Sequence, residues 1–277
     1  MEPVKLNLPS EIPADKLVGI FNLQRGLIDH YIRIEGLPLY PLDMDLKLHQ
    51  ATMRDFISRG IEELSEAHEC YRDLFEVLSN NHSARPELVV ALNEELSDTL
   101  HFFTEAMIYA GLTPLDIESY ANRVLSDRGM DLSELPPETY GSLDKLLLLS
   151  QFYFLEGPHK LMDLTLYGFN ASTWIAADPQ YEPIIKGYVV SSPLLRLNAE
   201  LSWEITYHFN MARNCLKNRP WKQTDEHTNI EKFQECMLLG FRAFVNLLWS
   251  LGHTNESIYS IYYHKNIINQ NRIADKR

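Results

Sequence analysis

The chain has 277 residues, 45% of them hydrophobic and 23% charged, a balance that supports a folded core and excludes disorder. Lys and Arg number 25 against 38 Asp and Glu, a formal charge of −13 that argues against a partner made of nucleic-acid polymer, whose phosphates require clustered cations. The cysteines, Cys70, Cys215 and Cys236, are too few and too widely spaced for a disulfide framework or a cysteine-rich zinc site.

The opening MEPVKLNLPSEIPADK carries no apolar signal core. The most apolar stretch, Leu146 to Leu155, includes Ser150 and Gln151 and is too short to span a bilayer. A soluble cytoplasmic protein with no membrane partner is the expectation.

From Met53 onward, Phe56, Ile57, Gly60, Ile61, Leu64, Ala67, Tyr71, Leu74, Phe75 and Leu78 recur in steps of three and four, which predicts a helix over 53–79. A second stripe, Leu88, Val89, Leu92, Leu96, Leu100, Phe103, Met107 and Ala110, follows a turn-like SNNHSARP. Gly111 stops that helix, and Thr113-Pro114-Leu115-Asp116 reads as an N-cap, a first-turn proline and a first-turn acid. The helix it opens should run to about Asp127, with Gly129 ending it. Pro136, Pro137 and Gly141 mark the strongest internal break. A short apolar helix over 143–155 precedes an irregular stretch, 156–193, and helices resume over 194–217, 229–251 and 256–272. No alternating β-branched run is long enough to build a sheet. The fold class is therefore all-α, one catalytic domain over 1–277, with a first half 1–129, a linker or insert 130–193 and a second half 194–277. Trp203, Trp221 and Trp249 are expected in the core.

The halves share a faint repeat. Gly111-Leu-Thr-Pro-Leu-Asp-Ile117 and Gly252-His-Thr-Asn-Glu-Ser-Ile258 keep the frame G-x-T-x-x-x-I at a separation of 141 residues (111 to 252). The same offset sets Glu63 over Glu204, Glu66 over Tyr207, Glu95 over Cys236 and Asp98 over Leu239. If the unit is duplicated, only the first copy kept its acids.

Those acids are the strongest chemical signal. Glu63 and Glu66, like Glu95 and Asp98, are spaced i, i+3 and project from one side of their helix beside the apolar stripe. An acid on a helix edge is ordinarily solvated, and Glu62, Glu69 and Glu76 are expected to be. Four carboxylates converging from two antiparallel helices, however, would repel one another without a cation. Mg²⁺ suits them: it takes hard oxygen ligands and pairs carboxylates with substrate phosphates. Near the C-terminus, Lys265, Asn269 and Arg272 fall on one helical face, two cations and an amide that could meet a triphosphate.

The EExxE of residues 62–66 followed by the ExxD of 95–98 resembles the signature of the all-α NTP pyrophosphatases, which include MazG-like enzymes and the dimeric dUTPases. Three segments point to the dimeric dUTPase and phage dCTPase-dUTPase branch. Ile261-Tyr-Tyr-His-Lys-Asn-Ile-Ile-Asn-Gln-Asn-Arg272 is similar to its YYxKNxxNxxR. Asp98-Thr-Leu-His-Phe102 resembles its DxxHF, and Leu23-Gln-Arg-Gly-Leu-Ile-Asp29 its LQxxLND. The sequence departs at Ile28, where that last motif has asparagine. The branch's tryptophan- and lysine-rich segment between the acid pairs is also absent, although Lys217-Asn-Arg-Pro-Trp-Lys222 is similar in composition.

The resemblance implies Mg²⁺-dependent hydrolysis of a deoxynucleoside triphosphate (dUTP, dCTP or a related pyrimidine) to monophosphate and pyrophosphate. Mn²⁺ is a possible substitute ion. Glu63, Glu66, Glu95 and Asp98 would be the metal ligands. Glu62 or one of those ligands would orient the attacking water. Lys265 and Arg272 would act on the phosphates, and Gln24, His101, Asn266 and Asn269 would bind substrate. A homodimer is implied, in the host's cytoplasm if the gene is a phage's. Two alternatives stay open: a catalytically silent nucleotide-binding relative, and a pyrophosphohydrolase for a modified-base triphosphate.

Overall fold

The computed structural model describes residues 11–79, 86–130, 141–156, 192–219, 221–223 and 226–275. Among them are eight helices and no strand: α1 (Lys16–Glu35), α2 (Lys47–Ser79), α3 (Pro86–Tyr109), α4 (Pro114–Asp127), α5 (Ser142–Glu156), α6 (Ser192–Cys215), α7 (Ile230–Ser250) and α8 (Asn255–Asp275). The all-α expectation holds for these residues. None of the helices is long and apolar enough to cross a membrane. Most of the irregular stretch 156–193 lies outside the described residues.

Helix α1 is outside the expected set, although its local signals are strong. Asp15 is the N-cap, and its Oδ1 accepts from the amides of Leu17 and Val18 at 2.9 and 3.1 Å. The other carboxylate oxygen accepts from the Ser142 amide and hydroxyl, both at 2.9 Å, which ties α1 to the start of α5. Gly36, at φ +68°, ends the helix in a conformation that glycine adopts without steric cost. Helix α2 begins at Lys47, six residues before the first position of its apolar stripe.

Helices α2 and α3 form one antiparallel pair: Gly60 lies against Phe103, and Glu63 hydrogen-bonds with Glu95. Helices α6 and α7 form a second, with Gly240 against Phe209 and Arg242 near Glu204. The two pairs share a core through aromatic rings. Phe103 stacks on Phe209 at 4.1 Å between centroids and meets Phe244 edge-on at 5.3 Å. Phe103, Phe209 and Phe244 are all fully buried, each contributing roughly 1.5–3 kcal/mol of apolar transfer.

The repeat frame has a structural counterpart. Helix α3 ends at Tyr109 and α7 at Ser250; α4 starts at Pro114 and α8 at Asn255. Gly111 and Gly252 have φ of +76° and +86°. The Leu112 amide donates to Met107 at 2.9 Å, and the His253 amide to Leu248 at 3.0 Å. Thr113 and Thr254 then open the next helices, their hydroxyls accepting from the amides of Asp116 and Ser257. Each of these features recurs at the offset read from the sequence.

Trp203 and Trp221 are not core residues. They are 68% and 76% exposed, the first stacked on its helical neighbour Tyr207, the second beneath Arg219. Trp249 is partly buried against the core.

Two helical glycines, one at the crossing of α2 and α3 and one on the exposed side of α1, have opposite sensitivities. A Cβ on Gly60 would sit 2.4 Å from the Phe103 ring, whereas one on Gly26, in the exposed middle of α1, meets nothing within 4 Å. Gly60→Ala should therefore destabilise the fold by ~1–3 kcal/mol through overpacking. Gly26→Ala should stabilise it by ~0.5–1 kcal/mol by restricting the unfolded chain. Thermal unfolding of both variants checks the pair, and a loss of stability at Gly26 matching that at Gly60 would contradict the packing described.

Candidate functional site

The i, i+3 spacing on α2 and α3 carries the acids to one place. Ligand oxygens of Glu63, Glu66 and Glu95 lie within 4.8 Å of one another, with Glu63 and Glu95 half-buried and Glu66 exposed. The neighbouring Leu64, Ala67, Leu92, Leu96 and Thr99 are buried, so each helix is held with its acids at the edge of the packed seam. Glu62, Glu69 and Glu76 are exposed, as expected of solvated acids.

The cluster is electrostatically strained. Burial, then the charges of Asp98, Glu66 and Glu95, push the Glu63 carboxyl up to about 7. Glu95 is raised too, by burial first and by Asp98 and Glu66 after it. A hard divalent cation fits this donor set, because it replaces mutual repulsion with attraction and needs only oxygen ligands.

Asp98 is not one of that triplet. Its carboxylate takes Lys265 Nζ at 2.6 Å in a largely buried ion pair. Burial raises the Asp98 carboxyl even so, and Lys265 works against it. Helix α8 reaches α3 here because Tyr262, fully buried, packs face to face on His101 at 4.0 Å. Ser97 Oγ donates to the Ile261 carbonyl at 3.2 Å beside them.

Gln24, His101 and Tyr262 form one buried unit. Gln24 Oε1 accepts from Tyr262 Oη at 2.5 Å and lies 2.9 Å from His101 Nδ1. An oxygen at both contacts places the imidazole proton on Nδ1. The ring is neutral, pushed down to about 3 by burial and by Lys265. His101 Nε2 is buried without a partner, and so is Asn266 Nδ2.

The other sequence-derived candidates are spread along α8. Asn266 is fully buried and its Oδ1 accepts from Gln270 at 2.7 Å. Asn269 is half-exposed and Arg272 exposed, the latter close enough to act on Asp98 electrostatically. Ile28, at the position where the motif has asparagine, is fully buried in the core.

The motifs assign no role to Tyr262 and do not include Glu105. Tyr262 lies within the matched C-terminal segment, but its bond to Gln24 crosses 238 residues. Glu105, two turns beyond Asp98, is 8% exposed and carries no spacing signal.

In the second half, the position matching Glu63 is neutralised. Glu204 lies 3.6 Å from Arg242 and 3.9 Å from His208. Tyr207, Cys236 and Leu239 stand where Glu66, Glu95 and Asp98 would. Compared with known proteins, the chain matches no family model, no curated protein and no solved structure.

Burial pushes the Glu105 carboxyl up to about 8, with Arg59 opposing and Asp55 adding to the shift. A raised carboxyl contributes stability that is present below its unfolded value of about 4.5 and is lost as pH rises through about 8. Wild-type stability should thus fall over that window by more than that of Glu105→Gln, as measured by denaturant unfolding at several pH values. Parallel curves for the two proteins would refute the burial argument.

Proposed function

We propose that the chain is a Mg²⁺-dependent pyrophosphohydrolase acting on a pyrimidine deoxynucleoside triphosphate, with dUTP, dCTP and modified-base relatives as the substrate class. The observation that carries this reading is the convergence of Glu63, Glu66 and Glu95 on one half-buried point, with Asp98 one turn beyond Glu95 on α3. The residues that the sequence resemblance nominates thus come from four distant segments to one neighbourhood.

Glu63, Glu66 and Glu95 would hold the ion, with Asp98 joining once Lys265 is drawn to a phosphate. When bound, Mg²⁺ (or Mn²⁺ in its place) supplies neutralisation of charge at the phosphate oxygens. The remaining work belongs to the chain. Glu62, exposed beside the cluster, or one of the cluster's own carboxylates takes a proton from the attacking water. Lys265 and Arg272 supply positive charge to the phosphates as the bond from the α-phosphorus to the oxygen bridging it to the β-phosphate breaks. The α-phosphorus gains the water oxygen and pyrophosphate departs. Asn266 and Asn269 offer amides along the same helix. Gln24 and His101, both buried, set the floor, Gln24 Oε1 being held by Tyr262 and His101, and Ile28 is committed to the core.

A second reading is nucleotide binding without turnover. It is favoured by the ion pair between Asp98 and Lys265, which takes the fourth carboxylate out of the cluster. The repeated capping turns support an internal duplication in which the second copy lost its acids. The resemblance also implies a homodimer.

A pyrophosphate-release screen of the purified protein across natural and modified dNTPs with Mg²⁺ separates the two readings. Glu66→Gln should lower turnover about a hundredfold or more with the fold intact, since it removes a ligand of the ion, whereas Asp98→Asn should lower turnover and also cost stability, because it leaves Lys265 buried without its partner. Glu204→Gln should leave turnover within about twofold, because its neighbours cannot complete an oxygen cage. Binding of dNTP with no pyrophosphate released from any substrate would select the second reading.

A further inference from the structure

Helices α3 and α8 meet through successive rungs. Ser97 Oγ donates to the Ile261 carbonyl at 3.2 Å, the His101 ring lies on Tyr262 at 4.0 Å, and Asp98 Oδ2 takes Lys265 Nζ at 2.6 Å. From the ion pair to the stacked rings the positions rise from 98 to 101 on α3 and fall from 265 to 262 on α8. The helices are therefore antiparallel here, and the two rungs lie about one turn apart.

The uncharged rung fixes the docking. Tyr262 is fully buried, and its hydroxyl donates to Gln24 Oε1 of α1 at 2.5 Å. Burial and a neutral hydrogen bond thus hold α8 against α3, and Lys265 is carried to Asp98 by its place on the helix. The pair is not sealed. Its side chains are 11% and 22% exposed, and Glu66 beside it on α2 is exposed.

The pair changes what the acid cluster can offer. Asp98 follows Glu95 by three residues on the same side of α3, yet only Glu63, Glu66 and Glu95 bring their oxygens within 4.8 Å of one another. Among charges at this edge, Asp98 is answered from within the chain. A charge-assisted bond is roughly twice as strong as a neutral one. Lysine also carries its compact charge on a flexible stem, so the ammonium can change partners while α8 stays docked. A phosphate offers it a second anionic partner.

We propose that Lys265 is a latch on the metal site: paired with Asp98, it withholds the fourth carboxylate from a divalent ion until a phosphate group takes the ammonium over. This rests on the metal-site reading given above and adds a binding order to it. The chain without nucleotide offers an ion the three clustered carboxylates only. The coupling is reciprocal, so a variant without the latch binds the ion alone more tightly.

The test is titration of the full chain with Mn²⁺ alone, without nucleotide, followed by electron paramagnetic resonance of the free ion. Wild type should bind weakly, and Glu66→Gln should abolish that binding. Lys265→Met should tighten it about tenfold or more, because the ion no longer competes with a charge-assisted bond. Lys265→Arg keeps a cation opposite Asp98 and should stay within about threefold of wild type. Arg272→Gln removes an exposed cation about two turns further along α8 and should do the same, which separates a latch from a general loss of positive charge. Asp98→Asn combined with Lys265→Met removes both partners, leaves no unpaired charge, and should return the affinity to the wild-type value. Circular dichroism checks each fold, and Lys265→Gln carries the test should Lys265→Met not fold. Binding that Glu66→Gln abolishes but that neither Lys265→Met nor Lys265→Gln tightens overturns the latch and leaves the metal reading standing. A gain of equal size in Arg272→Gln, or one that persists in the double variant, also overturns it. No Mn²⁺ binding sensitive to Glu66→Gln in any of these proteins overturns the metal reading and the latch together.

Discussion

The close approach of α2 to α3 is the constraint on which the rest depends. Gly60 leaves room for Phe103 to lie against the α2 backbone. One to two turns along α2 from that contact, Glu63 and Glu66 stand opposite Glu95. A bulkier residue at Gly60 would force either the ring or the helix aside. The acids belong to the same helices as Gly60 and Phe103, so such a shift would separate them. Phe103 also reaches the second helix pair through Phe209 and Phe244, so the acid cluster is positioned by both halves of the chain.

The electrostatics of the two halves are resolved in different ways. In the first half, acids are held together against their mutual repulsion, and the cost is visible in the raised Glu63 and Glu95 carboxyls. In the second, the one acid kept at a matching position is compensated by Arg242. Helix α8 brings a cation to the first cluster through Lys265, and its approach is set by uncharged packing: the Tyr262 ring on His101 and the Tyr262 hydroxyl on Gln24. At the junction of α2 and α6, Arg54 has carbonyl and amide acceptors among the described residues.

Much of this organisation was legible in the residues themselves. Periodicity located α2 and α3, and Thr113-Pro114 with Asp116 marked the start of α4, where the structure has a capping box. The i, i+3 spacing put each acid pair on one side of its helix because that geometry is local, and the 141-residue offset foretold the matching turns at Gly111 and Gly252. Helix α1 went unread although Asp15 and Gly36 bracket it with ordinary signals. Trp203 and Trp221 were assigned to the core on residue type alone, and type does not say which way a helix or loop faces.

What the sequence by itself determined is therefore everything that depends on spacing within one helix: the helical class, the apolar stripes, the capped ends and the pairing of acids. Tertiary structure alone decided which of those faces meet. It joined Lys265 to Asp98, Gln24 to Tyr262, and Arg54 to the end of α6, contacts that span 167, 238 and 162 residues. It also decided that Ile28 faces the core. The reason is physical: a helix of 3.6 residues per turn fixes the relative directions of its own side chains, whereas the neighbour each face receives is set by packing the whole core at once.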